Sequence, residues 1–146
     1  VGGASTIKLT ADLAANTVGT AAICTGMALS VTAGSYYFFR FNVLYQAAVT
    51  TTGIKLGLTF PAVTSFAGTV IALNSGAASV VYGRITTSGG LVTGAGTPVA
   101  NTTYMAEILG SILPSANGTI QVTYGTEVGG SAVTVKQGSN GLLFTL

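Results

Sequence analysis

The run Tyr36-Tyr37-Phe38-Phe39-Arg40-Phe41-Asn42-Val43-Leu44-Tyr45-Gln46 is too rich in aromatic and β-forming side chains to favour a helix. Read with a period of two, Tyr37, Phe39, Phe41, Val43 and Tyr45 form one unbroken apolar face. The opposite face, Tyr36, Phe38, Arg40, Asn42, Leu44 and Gln46, mixes apolar and polar groups. Open water on that side would not call for Tyr, Phe and Leu. The run therefore predicts a central strand whose second face meets another sheet or another subunit.

Charge is scarce. The 146 residues carry five cations and three acids, 5% of the chain, against roughly 25% in an ordinary domain. A monomer usually stays soluble through charge. This chain has to rely on Thr, Ser, Asn and Gly, or hide surface in an assembly. The scattered cations form no basic patch for nucleic acid and no polybasic signal for a membrane. The uncharged span Leu13–Phe39 is broken by Gly19, Gly26 and Gly34, unlike a membrane-crossing helix of ~20 mostly apolar residues. No basic-then-apolar start marks a signal peptide, and Val at position 1 leaves upstream residues an open matter. The length suits one domain, residues 1–146, with a real core.

Further alternating segments stand between Gly, Ser, Thr and Asn punctuation: Ser5–Ala11, Thr20–Val31 (two short strands divided at Thr25-Gly26), Gly53–Phe60, Phe66–Leu73, Ala77–Thr86, Thr103–Leu113, Thr119–Tyr124, Ser131–Gln137 and Leu142–Leu146. Asn74-Ser75-Gly76 reads as a tight turn, and Asn117-Gly118 suits positive φ. Thr103–Leu113 has a short helix as its rival reading. Ser88–Asn101, with Ser88, Gly90, Leu91, Thr93, Gly96 and Pro98, reads as a long exposed contact loop. About eight to ten strands and no helix predict an all-β antiparallel sandwich. The spread of loop lengths and the long central strand favour a jelly roll, although spacing alone does not separate it from an immunoglobulin-like order.

Catalysis has little to work with. There is no His, which removes the commonest general base and metal ligand. A single cysteine, Cys24, excludes an internal disulfide and a thiolate metal site, and its apolar neighbours predict a buried, inert thiol. Three separated acids make a calcium site poor. Glu107 and Glu127 are the one carboxylate pair to weigh for glycoside hydrolysis. The stronger reading of Glu107 is a structural ion pair, with Arg40 the first choice and Arg84 the second. No cofactor is expected. Tyr82 and Tyr104 are candidates for sugar stacking, but the absence of Trp favours core or interface roles. The sequons at Asn101 and Asn117 carry little weight in a Thr-rich chain.

Four phrases occur in a suggestive order: Ala33-Gly34-Ser35-Tyr36-Tyr37-Phe38-Phe39-Arg40-Phe41, Thr51-Thr52-Gly53-Ile54-Lys55-Leu56-Gly57-Leu58, Leu113-Pro114-Ser115-Ala116-Asn117-Gly118-Thr119-Ile120-Gln121 and Glu127-Val128-Gly129-Gly130-Ser131-Ala132-Val133-Thr134-Val135-Lys136. Together they resemble small jelly-roll modules in structural proteins of tailed bacteriophages, namely head decoration, head fibre and tail appendage proteins. The resemblance spans roughly Ala33 to Ser139, and Val63–Thr102 has no matching phrase. It implies a virion-surface component, a trimer with no enzyme residues, bound to other virion proteins such as the major capsid protein.

The expectation is thus a non-enzymatic decoration (cement) or fibre protein. Its alternative is a module at a tail or fibre tip that binds a host receptor or surface glycan. Tyr36, Phe38, Arg40, Asn42 and Leu44 are expected at a subunit interface, and Ser88–Asn101 against a virion protein or a receptor.

Overall fold

The computed structural model describes residues 3–74 and 79–146. The eleven strands are β1 Ala4–Lys8, β2 Ala22–Val31, β3 Tyr37–Ala47, β4 Ile54–Thr59, β5 Val63–Leu73, β6 Val80–Ile85, β7 Leu91–Thr93, β8 Tyr104–Pro114, β9 Gly118–Thr126, β10 Val133–Val135 and β11 Asn140–Thr145. All strand pairs are antiparallel and fall into two sheets. The larger runs β1-β11-β3-β8-β5-β6, with β10 also on β3, and the smaller runs β2-β9-β4-β7.

The connectivity identifies the fold. β1 pairs with β11 and β3 with β8 in the large sheet, while β2 pairs with β9 and β4 with β7 in the small one. Early strands pair with late strands in nested order, alternating between sheets. That is an antiparallel ribbon wound on itself, a jelly-roll sandwich. The hairpin β5–β6 is inserted between β4 and β7 and extends the large sheet beyond β8. Among the described residues no helix is long and apolar enough to cross a membrane.

β3 is central, flanked by β8 on one edge and by β11 and then β10 on the other. Ser139 bridges the step between these last two: its hydroxyl accepts from Leu44 N at 2.9 Å and donates to Lys136 O at 2.9 Å. The period of two settles the packing. Tyr37, Phe39, Phe41, Val43 and Tyr45 are buried in one core with Met27 and Leu29 of β2, Leu56 and Leu58 of β4, and Ile120 and Val122 of β9. Each such side chain contributes roughly 1.5–3 kcal/mol when fully buried. The face of β3 covered by the other sheet is this apolar one; on the opposite side Tyr36 and Arg40 are exposed and Phe38 is half-buried.

Two expectations change, and one open choice is settled. Thr20–Val31 is not two strands: β2 is continuous, with a register shift between Ile23 and Ala28 and Gly26 at φ 89°. A glycine accepts that left-handed turn, so the chain kinks without ending the strand. Thr103–Leu113 is strand β8, and the helix alternative is not adopted. Ser88–Asn101 contains β7, which pairs Leu91, Val92 and Thr93 with Gly57, Leu56 and Lys55. The turn expected at Asn74-Ser75-Gly76 falls largely outside the described residues.

Candidate assembly face

The outer surface of the large sheet follows from strand register. One row across it reads Thr6, Leu142, Arg40, Leu109, Thr69, Arg84. The next reads Lys8, Asn140, Asn42, Glu107, Ile71, Tyr82. On the far side of the first, Ala4, Phe144, Phe38, Ser111 and Ala67 align. Beside Asn42, Leu44 sits opposite Met105. The result is a mixed surface: Leu, Phe, Ile and Met stand among Lys8, Arg40, Arg84 and Glu107, four of the chain's eight charged residues, with Tyr82 69%, Met105 50%, Phe144 41% and Tyr36 39% exposed.

A polar chain crosses its middle. Arg40 Nη2 donates to Glu107 Oε1, and Arg40 Nε to Asn42 Oδ1 at 3.2 Å. Asn42 Nδ2 donates to Asn140 Oδ1 at 2.9 Å, and Asn140 Nδ2 to Gly138 O at 3.0 Å. Side chains from β8, β3 and β11 thereby satisfy one another among apolar neighbours. Tyr36 Oη donates to Ser111 Oγ at 3.3 Å near one end. All five residues expected at an interface therefore lie on or beside this one surface. Leu142, Phe144, Asn140, Leu109 and Met105 join them through pairing partners that no single-strand pattern reveals.

Arg40 and Glu107 meet as an ion pair, but not in a buried setting: their side chains are 47% and 23% exposed in the isolated chain. The large penalty expected for breaking a buried pair does not apply. At this exposure water screens the attraction. Glu107→Gln is expected to cost only ~0.2–1 kcal/mol in the separated chain, read from chemical denaturation. A loss of several kcal/mol there would show that the pair is shielded after all.

The other candidates separate. Glu127 does not join Glu107 in a carboxylate pair: Glu107 stands on β8 and bonds Arg40, whereas Glu127 follows the end of β9 and has other partners. Glu127 Oε2 accepts from Gly53 N at 2.7 Å and from Gly96 N at 3.1 Å. Tyr104 turns inward, its hydroxyl accepting from Val99 N at 3.1 Å, so only Tyr82 of the two proposed stacking tyrosines is open. Cys24 is buried, and burial pushes its thiol up to about 12, where it is a poor nucleophile. Tyr45 is buried too, its phenol pushed up to about 12 by burial. Asp12 accepts from Lys136 Nζ and from Gln137 N at 2.8 Å, and these bonds hold its carboxyl below the ordinary range. Among the described residues no three His, Cys, Asp or Glu gather to hold a metal.

Ser88–Asn101 is not the free loop expected. Ser88 Oγ accepts from Phe60 N at 2.9 Å, Gly94 N bonds to Ile54 O at 2.8 Å, and Thr97 N to Thr50 O at 2.9 Å. The glycines serve close approach: a Cβ on Gly57 would stand 2.0 Å from Gly90 O, and one on Gly53 2.4 Å from Gly94 O. Gly96 is buried, Gly90, Leu91 and Pro98 are half-buried, and only Ser88 and Thr93 of the six named residues are exposed. Removing Gly90–Gly96 would delete a strand, so the loop's assignment as a dispensable contact element is withdrawn.

No protein-family model matches the chain, and no curated protein does. Among solved structures it is similar to Eiger TNF from S. frugiperda, at 11% identity and a TM-score of 0.48, over 98% of this chain and 91% of that one. It is also similar to a chain of the infectious bursal disease virus Gx strain, at 8% identity and a TM-score of 0.28, over 99% of this chain and 40% of that one. For the VP2 subviral particle of infectious bursal disease virus the values are 10% and 0.29, over 99% and 41%. The chain thus spans about two fifths of the viral chains. At these scores the likenesses carry no argument about what the chain does; its jelly-roll fold rests on its own strand order.

Proposed function

We propose that this chain is a non-enzymatic structural module of a virion surface, a bacteriophage decoration or fibre protein that assembles as a trimer through the outer face of its large sheet. The observation that carries this reading is that face, where Leu109, Leu142, Phe38 and Phe144 flank a continuous chain of polar side chains. Leu109, Leu142, Phe38 and Phe144 gain burial when a copy packs on them, each worth up to roughly 1.5–3 kcal/mol. Arg40, Glu107, Asn42 and Asn140 are already paired, so covering them leaves few unpaired groups. Their fixed positions favour one orientation of the partner. A receptor or glycan role has less support, because Tyr104 is turned inward and the Ser88–Asn101 segment is tied down.

The test is native mass by sedimentation. The wild type is expected as a trimer or a multiple of three chains, and Leu109→Asp or Phe38→Asp as a smaller folded species whose mass is no multiple of three chains, with an unchanged β-sheet circular dichroism spectrum. A wild type that stays monomeric at micromolar concentration removes the proposal. Adding the trimer to shells stripped of surface proteins then tests attachment, with many copies per particle expected for decoration and few for a tip.

A further inference from the structure

The large sheet ends on an open strand. β1 is exposed at four of its five residues, and its hydrogen bonding can be read by residue. Thr145 N bonds to Gly3 O at 2.9 Å and Leu9 N to Ser139 O at 2.8 Å, in the same register that pairs Ser5 with Leu143 and Ile7 with Gly141. Bonded pairs alternate with unbonded ones in an antiparallel ladder. The odd-numbered residues therefore bond inward to β11. The N–H and C=O groups of Ala4, Thr6 and Lys8 point to the free edge. Among the described residues none of these groups takes part in a turn, loop or side-chain hydrogen bond.

Grooves of about 380 Å³ and about 540 Å³ lie over the β1–β11 ladder, the first along Lys8, Leu9 and Gly138 and the second along Thr6, Ile7 and Leu142. At the opposite margin of the sandwich β6 rests on β7, where a Cβ on Gly83 would lie 2.3 Å from Val92 Cγ1.

We infer that β1 pairs edge to edge with β1 of a second copy, antiparallel about a two-fold axis at Thr6. This register sets Ala4 opposite the partner's Lys8 and Thr6 opposite the partner's Thr6, and uses all three free donors and all three free acceptors. It also resolves the charge. Among the described residues Lys8 makes no ion pair, and it would repel a lysine directly across from it. In this register the two ammonium-bearing residues stand four positions apart, ~14 Å along the strand, beyond the ~8 Å screening length at physiological salt. The small side chains Ala4 and Thr6 let the backbones meet. The contact is separate from the sheet-face contact proposed above and does not depend on it.

A thiol at position 6 reads the axis directly. Opposed residues in a bonded antiparallel pair lie ~5.5 Å apart at Cα, so Thr6→Cys with a short bifunctional thiol reagent is expected to give a covalent dimer. Cys24 is buried and does not compete. Ser5→Cys, which points to the other face and has no symmetric counterpart, is expected to give none. Thr6→Pro removes the central edge donor while sparing every β1–β11 bond. In a Leu109→Asp background, which removes the sheet-face contact, it is expected to convert a dimer to a monomer in sedimentation, halving the mass. No covalent dimer from Thr6→Cys overturns the inference, as does a dimer that Thr6→Pro leaves intact. If Thr6→Pro does not fold, the crosslink alone decides.

Discussion

Gly110→Ala is expected to cost the fold ~3 kcal/mol or more, beyond the usual 1–3 kcal/mol of an overpacked core. Gly110 lies on β8 between Phe39 of β3 and Gly68 of β5. A Cβ there would sit 1.9 Å from Ala67 O and 2.8 Å from Phe39 Cζ. The first obstacle is backbone and no rotamer relieves it, so two central strands would have to part. The second belongs to a stack in which Phe39 and Phe66 lie 5.9 Å apart and Phe66 and Phe60 4.0 Å. Gly68 keeps the same floor clear, since its Cβ would meet Phe66 Cζ at 2.6 Å. Urea denaturation should show a lower midpoint at an unchanged slope. Gly129→Ala is the control: nothing lies within 4 Å of its Cβ position, and a change within ~0.5 kcal/mol is expected. Equal stability of the two variants would mean that the glycine floor is not needed.

Glu127→Ala should be nearly as damaging, for a different reason. The carboxylate joins the β3–β4 connection to the segment after β7 by accepting from Gly53 N and Gly96 N. Both glycines are buried, so their amides have no water to turn to. Each buried donor left without a partner costs ~1–3 kcal/mol, and the loss is expected near ~3 kcal/mol. For a chain of this size that lowers Tm by ~6–12 °C. Glu127→Gln keeps a carbonyl oxygen at the same reach and should fall between the wild type and Ala. Faster amide exchange at Gly53 and Gly96 in the Ala variant would locate the effect. Melting at the wild-type temperature would show that other bonds hold this end of the sandwich.

Much of the fold was legible because side-chain alternation is a local property. The period of two along Tyr37–Tyr45 predicts which face of β3 is buried, and Ile54, Leu56 and Leu58 do the same for β4. What failed was punctuation. Glycine marks both flexible turns and places where two backbones nearly touch, and around β7 the second use was mistaken for the first. Gly26 misled in a similar way, because a kink inside one strand resembles the end of one. The outer face was half legible. Phe38, Arg40 and Leu44 could be placed together from β3 alone, but Leu109 and Leu142 reach Arg40 only through strand register, a long-range property. The Arg40–Glu107 pairing is legible from two charges placed mid-strand among apolar neighbours, where each calls for a partner. Its exposure depended on what else covers the sheet, which composition does not state.

Nested strand order has a consequence for how the chain is made. Ala4 finds its partner at Phe144, nearly the whole chain away, and β2 waits for β9. Such distant pairings make for slow folding, typically milliseconds to seconds in β-sandwiches. On the ribosome, where chains grow at ~5–20 residues per second, β1 through β4 emerge well before their partners exist. The aromatic run of β3 spends that interval without its cover. A nascent chain of this kind keeps apolar strands uncovered while it grows, and its folded yield in a foreign host should rise as growth temperature is lowered.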